Sequence, residues 1–321
     1  MQCAACQTTN PDDNLFCEGC GARVGEASPP PDSCACGSPL SEMDADGFCT
    51  GCGRRLKRPD SDHIEITLHH DFAGVSDRGL RHSRNEDRLA LTTAGNVFAT
   101  VVCDGVSMSP DADEAASTAV QAALDSLNNG LAQPELSQVE LLRHAIHHAA
   151  DSVTQLGKRR AEAPSTTLVA AIAKDGMLTV GWIGDSRAYW LNGADAKQIT
   201  RDHSWQNSPA ASQAGAEAQK AANAHALTRW VGADARDLEP EIVQQELNSA
   251  GLLLVCSDGL WNYMADTNEM ATLVSSLNND GASALSISRG LVEFARSKGG
   301  HDNITAVILR HPVSEDHSHG G

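Results

Sequence analysis

VFATVVCDGVS, Val97 to Ser107, decides how this chain is read. The uncharged, mostly apolar run Val97–Cys103 has the length and composition of a buried strand. It stops at a carboxylate, Asp104, and Gly105 follows, where the backbone can turn sharply. A single Asp at a strand end is ordinary, because Asp favours turns. Three other places repeat the arrangement. Leu252–Cys256 delivers Asp258, again with a glycine after it. Asp302-Asn303 opens the strand Ile304–Leu309. Asp185 sits in the turn between MLTVGWIG (Met177–Gly184) and SRAYWL (Ser186–Leu191).

Working outward, Ile64–Val75 reads as one opening strand, followed by a polar loop that ends in Asn85-Glu86-Asp87. Ser109-Pro110 reads as a helix start, with an N-cap hydroxyl and Pro at the first position. Ala116, Ala119, Val120, Ala123, Leu124 and Leu127 then form a helical stripe. A second helix carries Val139, Leu142, Ile146, Ala149, Val153 and Leu156 on one face. From Ser165 the period changes to that of strands. Trp205–Ala226 is weakly patterned and reads as a short helix or flap. Strands at Pro240–Gln245 and Leu252–Cys256 precede two helices, about 267–278 and 282–298. Strands then helices, twice over, with short hairpins, predict an α+β fold of antiparallel sheets with helices outside. In such sheets a strand's end and the next strand's start share an edge, so all four carboxylates can meet.

Four carboxylates without cations would repel one another, and hard divalent cations relieve that. Oxygen-only ligands select Mg²⁺ or Mn²⁺ over zinc or copper. Two ions sharing a carboxylate can activate water and clamp a phosphoryl group. The balance of 24 basic and 42 acidic residues, a net charge of −18, argues against a nucleic-acid partner.

Eight of the ten cysteines lie before residue 53, in close pairs. Cys3-x-x-Cys6 and Cys17-x-x-Cys20 form one four-thiol set. Cys34-x-Cys36 and Cys49-x-x-Cys52 form a second, one spacer residue short. LFCEGCGARV (Leu15–Val24) and GFCTGCGRRL (Gly47–Leu56) repeat one small unit. Each unit is too short to bury a core, and a structural Zn²⁺ held by four thiolates can supply the missing folding energy. The units resemble a double zinc ribbon and are expected to bind protein rather than nucleic acid. The amino-terminal stretch lacks a signal-peptide pattern, and no apolar run reaches the roughly 18 residues of a membrane span. A cytoplasmic, reducing setting with no membrane partner is expected, which favours metal thiolates over disulfides. The expected domains are ribbons at 1–26 and 27–58, a linker at 59–65, a catalytic domain at 66–312 and a disordered tail at 313–321.

The ordered set SDRG…NED, VVCDG, STTLVAA, GWIGDSRAYW, ITRDHS, LTRWVG, LLLVCSDGLW and GHDNITAV resembles the metal-dependent serine/threonine protein phosphatases of the protein phosphatase 2C type. The resemblance covers about Ile66 to Arg310. It implies a four-layer α–β–β–α sandwich with two, or three, Mn²⁺ or Mg²⁺ at one end. By that resemblance Asp104 bridges both metals and Asp258 and Asp302 complete the first. The Gly105 carbonyl binds the second, with Glu86 and Asp87 holding its waters. Asp185 would hold a third ion shared with Asp258. The implied reaction is hydrolysis of phosphoserine and phosphothreonine, on substrates of serine/threonine kinases, by metal-activated water. The family's usual phosphate-gripping Arg is here His82, flanked by Arg81 and Arg84; these three are the expected phosphate contacts. The glycine-rich stretch usual after Asp-Gly is replaced by Val106–Pro110. The alternative is a phosphatase-like binding adaptor without significant turnover, which that altered loop favours and the filled ligand positions disfavour.

Overall fold

The two packed faces of β4 (Val97–Asp104) organise the fold. Val97, Ala99, Val101 and Cys103 enter one apolar cluster with the first two helices. Phe98, on the opposite face, meets Phe72 edge-on at 5.7 Å between ring centroids. One side of the strand thus faces helices and the other faces a second sheet, as a period of two requires. The computed structural model describes residues 2, 7, 34, 36–39, 49–53, 61–131, 133, 135–193, 195–208, 211, 225–264, 266–279 and 281–311. The chain divides into two units, Met1–Ile64 and Glu65–Gly321.

One sheet has the order β11 (Glu241–Glu246), β7 (Met177–Ile183), β6 (Leu168–Lys174), β4, β3 (Asp87–Ala94). The other runs β1 (His63–His69), β2 (Phe72–Asp77), β13 (Ile304–His311), β12 (Gly251–Cys256), β8 (Arg187–Asn192), β9 (Asp195–Gln198). A two-strand ladder joins β5 (Ser165–Thr166) to β10 (Val231–Gly232). Every pairing from β2 onward is antiparallel. Helices α1 (Ala112–Leu131) and α2 (Gln138–Gly157) cover the five-stranded sheet. The short α3 (Asp258–Trp261), with α4 (Thr267–Leu277) and α5 (Ala284–Ser297), covers the six-stranded one. Each fully buried Leu or Ile in these layers, such as Leu254 or Ile146, contributes about 1.5–3 kcal/mol. The result is the expected α+β sandwich of two antiparallel sheets flanked by helices.

Several local expectations need correction. The opening strand is two strands, because the polar His70-Asp71 makes a turn between β1 and β2. β1 begins at His63, inside the stretch expected as linker. α1 begins at Ala112 rather than at Ser109-Pro110. The Ser109 hydroxyl bonds the Val106 carbonyl at 2.8 Å instead of capping, and Asp111 adopts a left-handed φ of 51°. STTLVAAIA breaks at Thr167 into β5 and β6. The expected tail at 313–321 lies outside the described residues. No helix among the described residues is long and apolar enough to cross a membrane.

Candidate metal centre

The carboxylates reach one end of the sandwich by strand register. Asp104 closes β4 directly opposite Asp87, which opens β3. Two threonines in the β5–β6 break hold the Asp104 backbone. Its N–H donates to Thr167 Oγ1 at 3.1 Å, and its carbonyl accepts from Thr167 N–H at 2.7 Å and Thr166 Oγ1 at 2.9 Å. Gly105 is obligatory on steric grounds: a Cβ would lie 2.6 Å from the Ala112 carbonyl oxygen. Its N–H donates to the Glu86 carbonyl at 3.2 Å, bringing the NED loop alongside. Asp258 opens α3, immediately after Cys256 and Ser257 of the β12 exit. Asp302 precedes β13 and accepts the Asn303 N–H at 2.8 Å. A Cβ on Gly259 would overlap the Asn303 carbonyl, so α3 and the start of β13 are in backbone contact.

These acids crowd one another. Asp104 and Asp258 each act on the other's carboxyl. Burial, then the neighbouring Asp87, Asp258, Asp302 and Asp185, hold the Asp104 carboxyl well above the usual carboxylate range. Burial, followed by Asp258 and Asp202, pushes Asp185 up to about 8. Burial and Asp302 raise Asp258 to about 6, and burial raises Asp87 to about 7. Glu86 is raised too, chiefly by burial. Among the described residues no Lys or Arg forms an ion pair with Asp104, Asp185 or Asp258. Asp87 Oδ1 is buried and has no hydrogen-bond partner. Hard oxygen donors, clustered without a protein cation and with an acceptor to spare, fit Mg²⁺ or Mn²⁺. The set does not form a single-ion cage of ligand atoms within 4.8 Å. A two-ion centre spreads its ligands over both ions and shares one of them.

Sequence reasoning missed the side chains that hold these acids. Asp87 Oδ2 accepts from Ser257 Oγ at 2.6 Å and Thr305 Oγ1 at 2.7 Å. Asn303 is a hub: its Oδ1 accepts the Glu86 N–H at 2.8 Å, and its Nδ2 donates to the Arg78 and Arg84 carbonyls at 2.8 and 3.0 Å. The available signal was a lone hydroxyl or amide inside an otherwise apolar strand.

The three expected phosphate contacts differ in circumstance. His82 Nε2 lies 3.2 Å from Asp302 Oδ1, at the carboxylate cluster itself. The Arg84 guanidinium pairs with Asp113 at 3.1 Å, at the first turn of α1. Arg81 is exposed. Ser107, in the altered loop after Gly105, acts on the Glu86 carboxyl and opposes the upward push of burial.

In the other unit, Cys34, Cys36, Cys49 and Cys52 present sulfurs that all lie within 4.8 Å of one another. Cys34 and Cys52 are 3.6 Å apart, and Cys36 and Cys49 are 3.5 Å apart. Those separations approach the edge of about 3.8 Å of a tetrahedron with Zn–S bonds of about 2.3 Å. Gly53, with φ 70°, donates its N–H to the Cys49 carbonyl at 2.7 Å, forming the tight turn expected after the second pair. Hydrogen bonds from the Ser38 side chain and backbone lower exposed Cys36 to about 6, toward the thiolate a metal needs. Cys3, Cys6, Cys17 and Cys20 of the first expected ribbon lie outside the described residues.

Comparison with known proteins identifies the family. Residues 78–293, two thirds of the chain, match the family model described as Protein phosphatase 2C. The chain is 26% identical over 254 residues to Serine/threonine phosphatase stp of Listeria monocytogenes, covering 77% of this chain and 98% of that protein. It resembles the crystal structure of the PPM Ser-Thr phosphatase MsPP from Mycobacterium smegmatis with a TM-score of 0.58 and 28% identity, over 74% of this chain and 97% of that one. It resembles the Mycobacterium tuberculosis serine/threonine phosphatase PstP with a TM-score of 0.60 and 25% identity, over 75% and 98%. With the strand-end carboxylates brought to one edge of two facing antiparallel sheets, and with that match across most of the larger unit, the chain belongs to the protein phosphatase 2C family.

Proposed function

We propose that the protein is a metal-dependent protein phosphatase acting on phosphoserine and phosphothreonine, as the printed names of its relatives say of them. The observation that carries this is the convergence of Asp104, Asp185, Asp258 and Asp302 at one sheet edge, with raised carboxyls and no ion-paired Lys or Arg on the first three. Asp104, Asp258, Asp302 and the Gly105 carbonyl would hold two Mn²⁺ or Mg²⁺, with Glu86 and Asp87 facing the ions' outer ligands and Asp185 serving a third. When bound, such ions polarise a phosphoryl group and lower the pKa of water for in-line attack.

The chain's own residues do the rest. Thr166 and Thr167 fix the Asp104 backbone, so its carboxylate need not reorganise. Asn303 pins the Arg78–Glu86 loop beside Asp302, which supports reading Arg81 and His82 as the residues that would meet an entering phosphate monoester. Arg81 supplies a guanidinium for the phosphate oxygens, and His82 adds a donor beside Asp302.

The cysteine sets are read as structural Zn²⁺ sites in an appended module that docks a protein partner or the substrate. The sulfur separations of the second set support this. The domain limits given above belong to the same reading, except that β1 begins at His63, inside the expected linker. A phosphopeptide assay with Mn²⁺ tests the activity: turnover above an Asp104→Ala control is expected. Equal rates would leave only a phosphopeptide-binding fold.

A further inference from the structure

Asp185 lies in the β7–β8 turn, outside any ladder. Something else must fix it. Gly184, at φ 117°, exchanges two hydrogen bonds with His203, its N–H donating to Nδ1 at 3.0 Å and its carbonyl accepting at 2.9 Å. Ser186 Oγ pairs with Thr167 Oγ1 at 2.7 Å. The Asp185 carbonyl accepts from a residue on another element, the indole Nε1–H of Trp261, at 3.0 Å.

Trp261 is the last residue of α3, and Asp258 is the first. One helical turn therefore carries a candidate ligand at one end and the indole that grips the other ligand's backbone at the other. That turn is rigid, since Gly259 packs against the Asn303 backbone. The indole is 4% exposed and held from the side. The Arg187 guanidinium lies 3.5 Å over its ring. Arg187 cannot swing away, because Nε and Nη2 fork onto both Asp202 oxygens at 2.9 and 2.7 Å and Nη1 donates to the Tyr189 hydroxyl at 3.0 Å. His225 tilts against the same indole at 6.0 Å between ring centroids.

We propose that Trp261 is a positioning residue that sets the separation of Asp185 and Asp258 so that the two carboxylates share one divalent cation, with Arg187 locking the indole in place. The proposal rests on the reading of this cluster as a metal centre.

The test is Mn²⁺ binding to the full chain freed of divalent ions, followed by the paramagnetic resonance of free Mn²⁺. Asp185→Asn identifies the binding event that uses Asp185 by abolishing it. Trp261→Phe keeps the ring and deletes the N–H, and is expected to weaken that same event about fivefold, the worth of one buried hydrogen bond, while the tighter events keep their affinities. Arg187→Lys is expected to do the same to a lesser degree. If Trp261→Phe fails to fold, Asp202→Asn, which loosens the lock on Arg187, carries the same expectation. A Trp261→Phe isotherm identical to wild type, a uniform loss across all events, or an isotherm untouched by Asp185→Asn overturns the proposal. Absence of phosphopeptide turnover by the Mn²⁺-loaded wild type would sink the phosphatase reading separately, leaving the isotherms to stand.

Discussion

Stripping the protein of divalent ions should make its stability fall as pH rises. The carboxyls of Asp185 and Asp87 sit at about 8 and about 7, against an ordinary 3.8. Both are acids whose folded pKa is raised, chiefly by burial. Their contribution is therefore fully present below pH of about 4 and is lost as pH climbs through about 7 to 8. One pH unit of mismatch costs about 1.4 kcal/mol. Between pH 5 and 8, Asp185 alone spans about three such units, or roughly 4 kcal/mol, and Asp87 about two, or roughly 3 kcal/mol. The two are coupled through Asp104 and Asp258, so the total is set nearer 5 kcal/mol than their sum. For a domain of this size, 1 kcal/mol shifts the midpoint by about 2–4 °C. Thermal unfolding in chelator should therefore fall by roughly 10–20 °C from pH 5 to pH 8. Saturating Mn²⁺ should cancel most of that fall, because the ions bind the ionised carboxylates. Asp185→Asn should flatten the metal-free profile. A metal-free midpoint that stays level or rises over this range would refute the electrostatic picture of the site.

Other outcomes follow from the same geometry. Asp104→Ala should lower Mn²⁺-dependent phosphopeptide turnover at least about a hundredfold, since it removes the proposed central ligand, with the fold retained by circular dichroism. Arg81→Ala should raise the phosphopeptide KM about tenfold, as a lost charge-assisted bond predicts, and Arg84→Ala much less, because Asp113 already engages that guanidinium. Steady-state kinetics on one peptide compares them. Arg296→Ala should cost about 3–5 kcal/mol in urea unfolding, because it strands Asp77 in a buried pair whose side chains are 8% and 5% exposed.

Much of the site was legible because strand-end acids announce themselves. Asp104, Asp258 and Asp302 each interrupt an apolar run, and register alone brings them to one edge. The NED loop was legible as a loop, and Asn303 as the residue after Asp302, but not its role as a hub. A hub is defined by partners more than 200 residues away in sequence. Thr305 and Ser257 were invisible for a related reason: one hydroxyl inside an apolar strand, or just past its end, does not alter the hydrophobic period. The four residues of α3 complete barely one helical turn and carry no periodicity to read. Ser109-Pro110 misled because its hydroxyl found a nearer carbonyl at Val106 than any helix N–H.

The placement of β13 bears on how the protein is made. It is the last described strand, yet it lies inside its sheet, between β2 and β12. Until it docks, both neighbours present open edges, and Thr305 and Asp302 are missing from the acid cluster. A chain emerging from the ribosome therefore passes through a stage with nearly every other described element synthesised and Asp302 still absent from the cluster. During that interval the unpaired β2 and β12 edges are the segments most exposed to association with other nascent chains. Closure by β13 seals the sheet and assembles the acid cluster in one step.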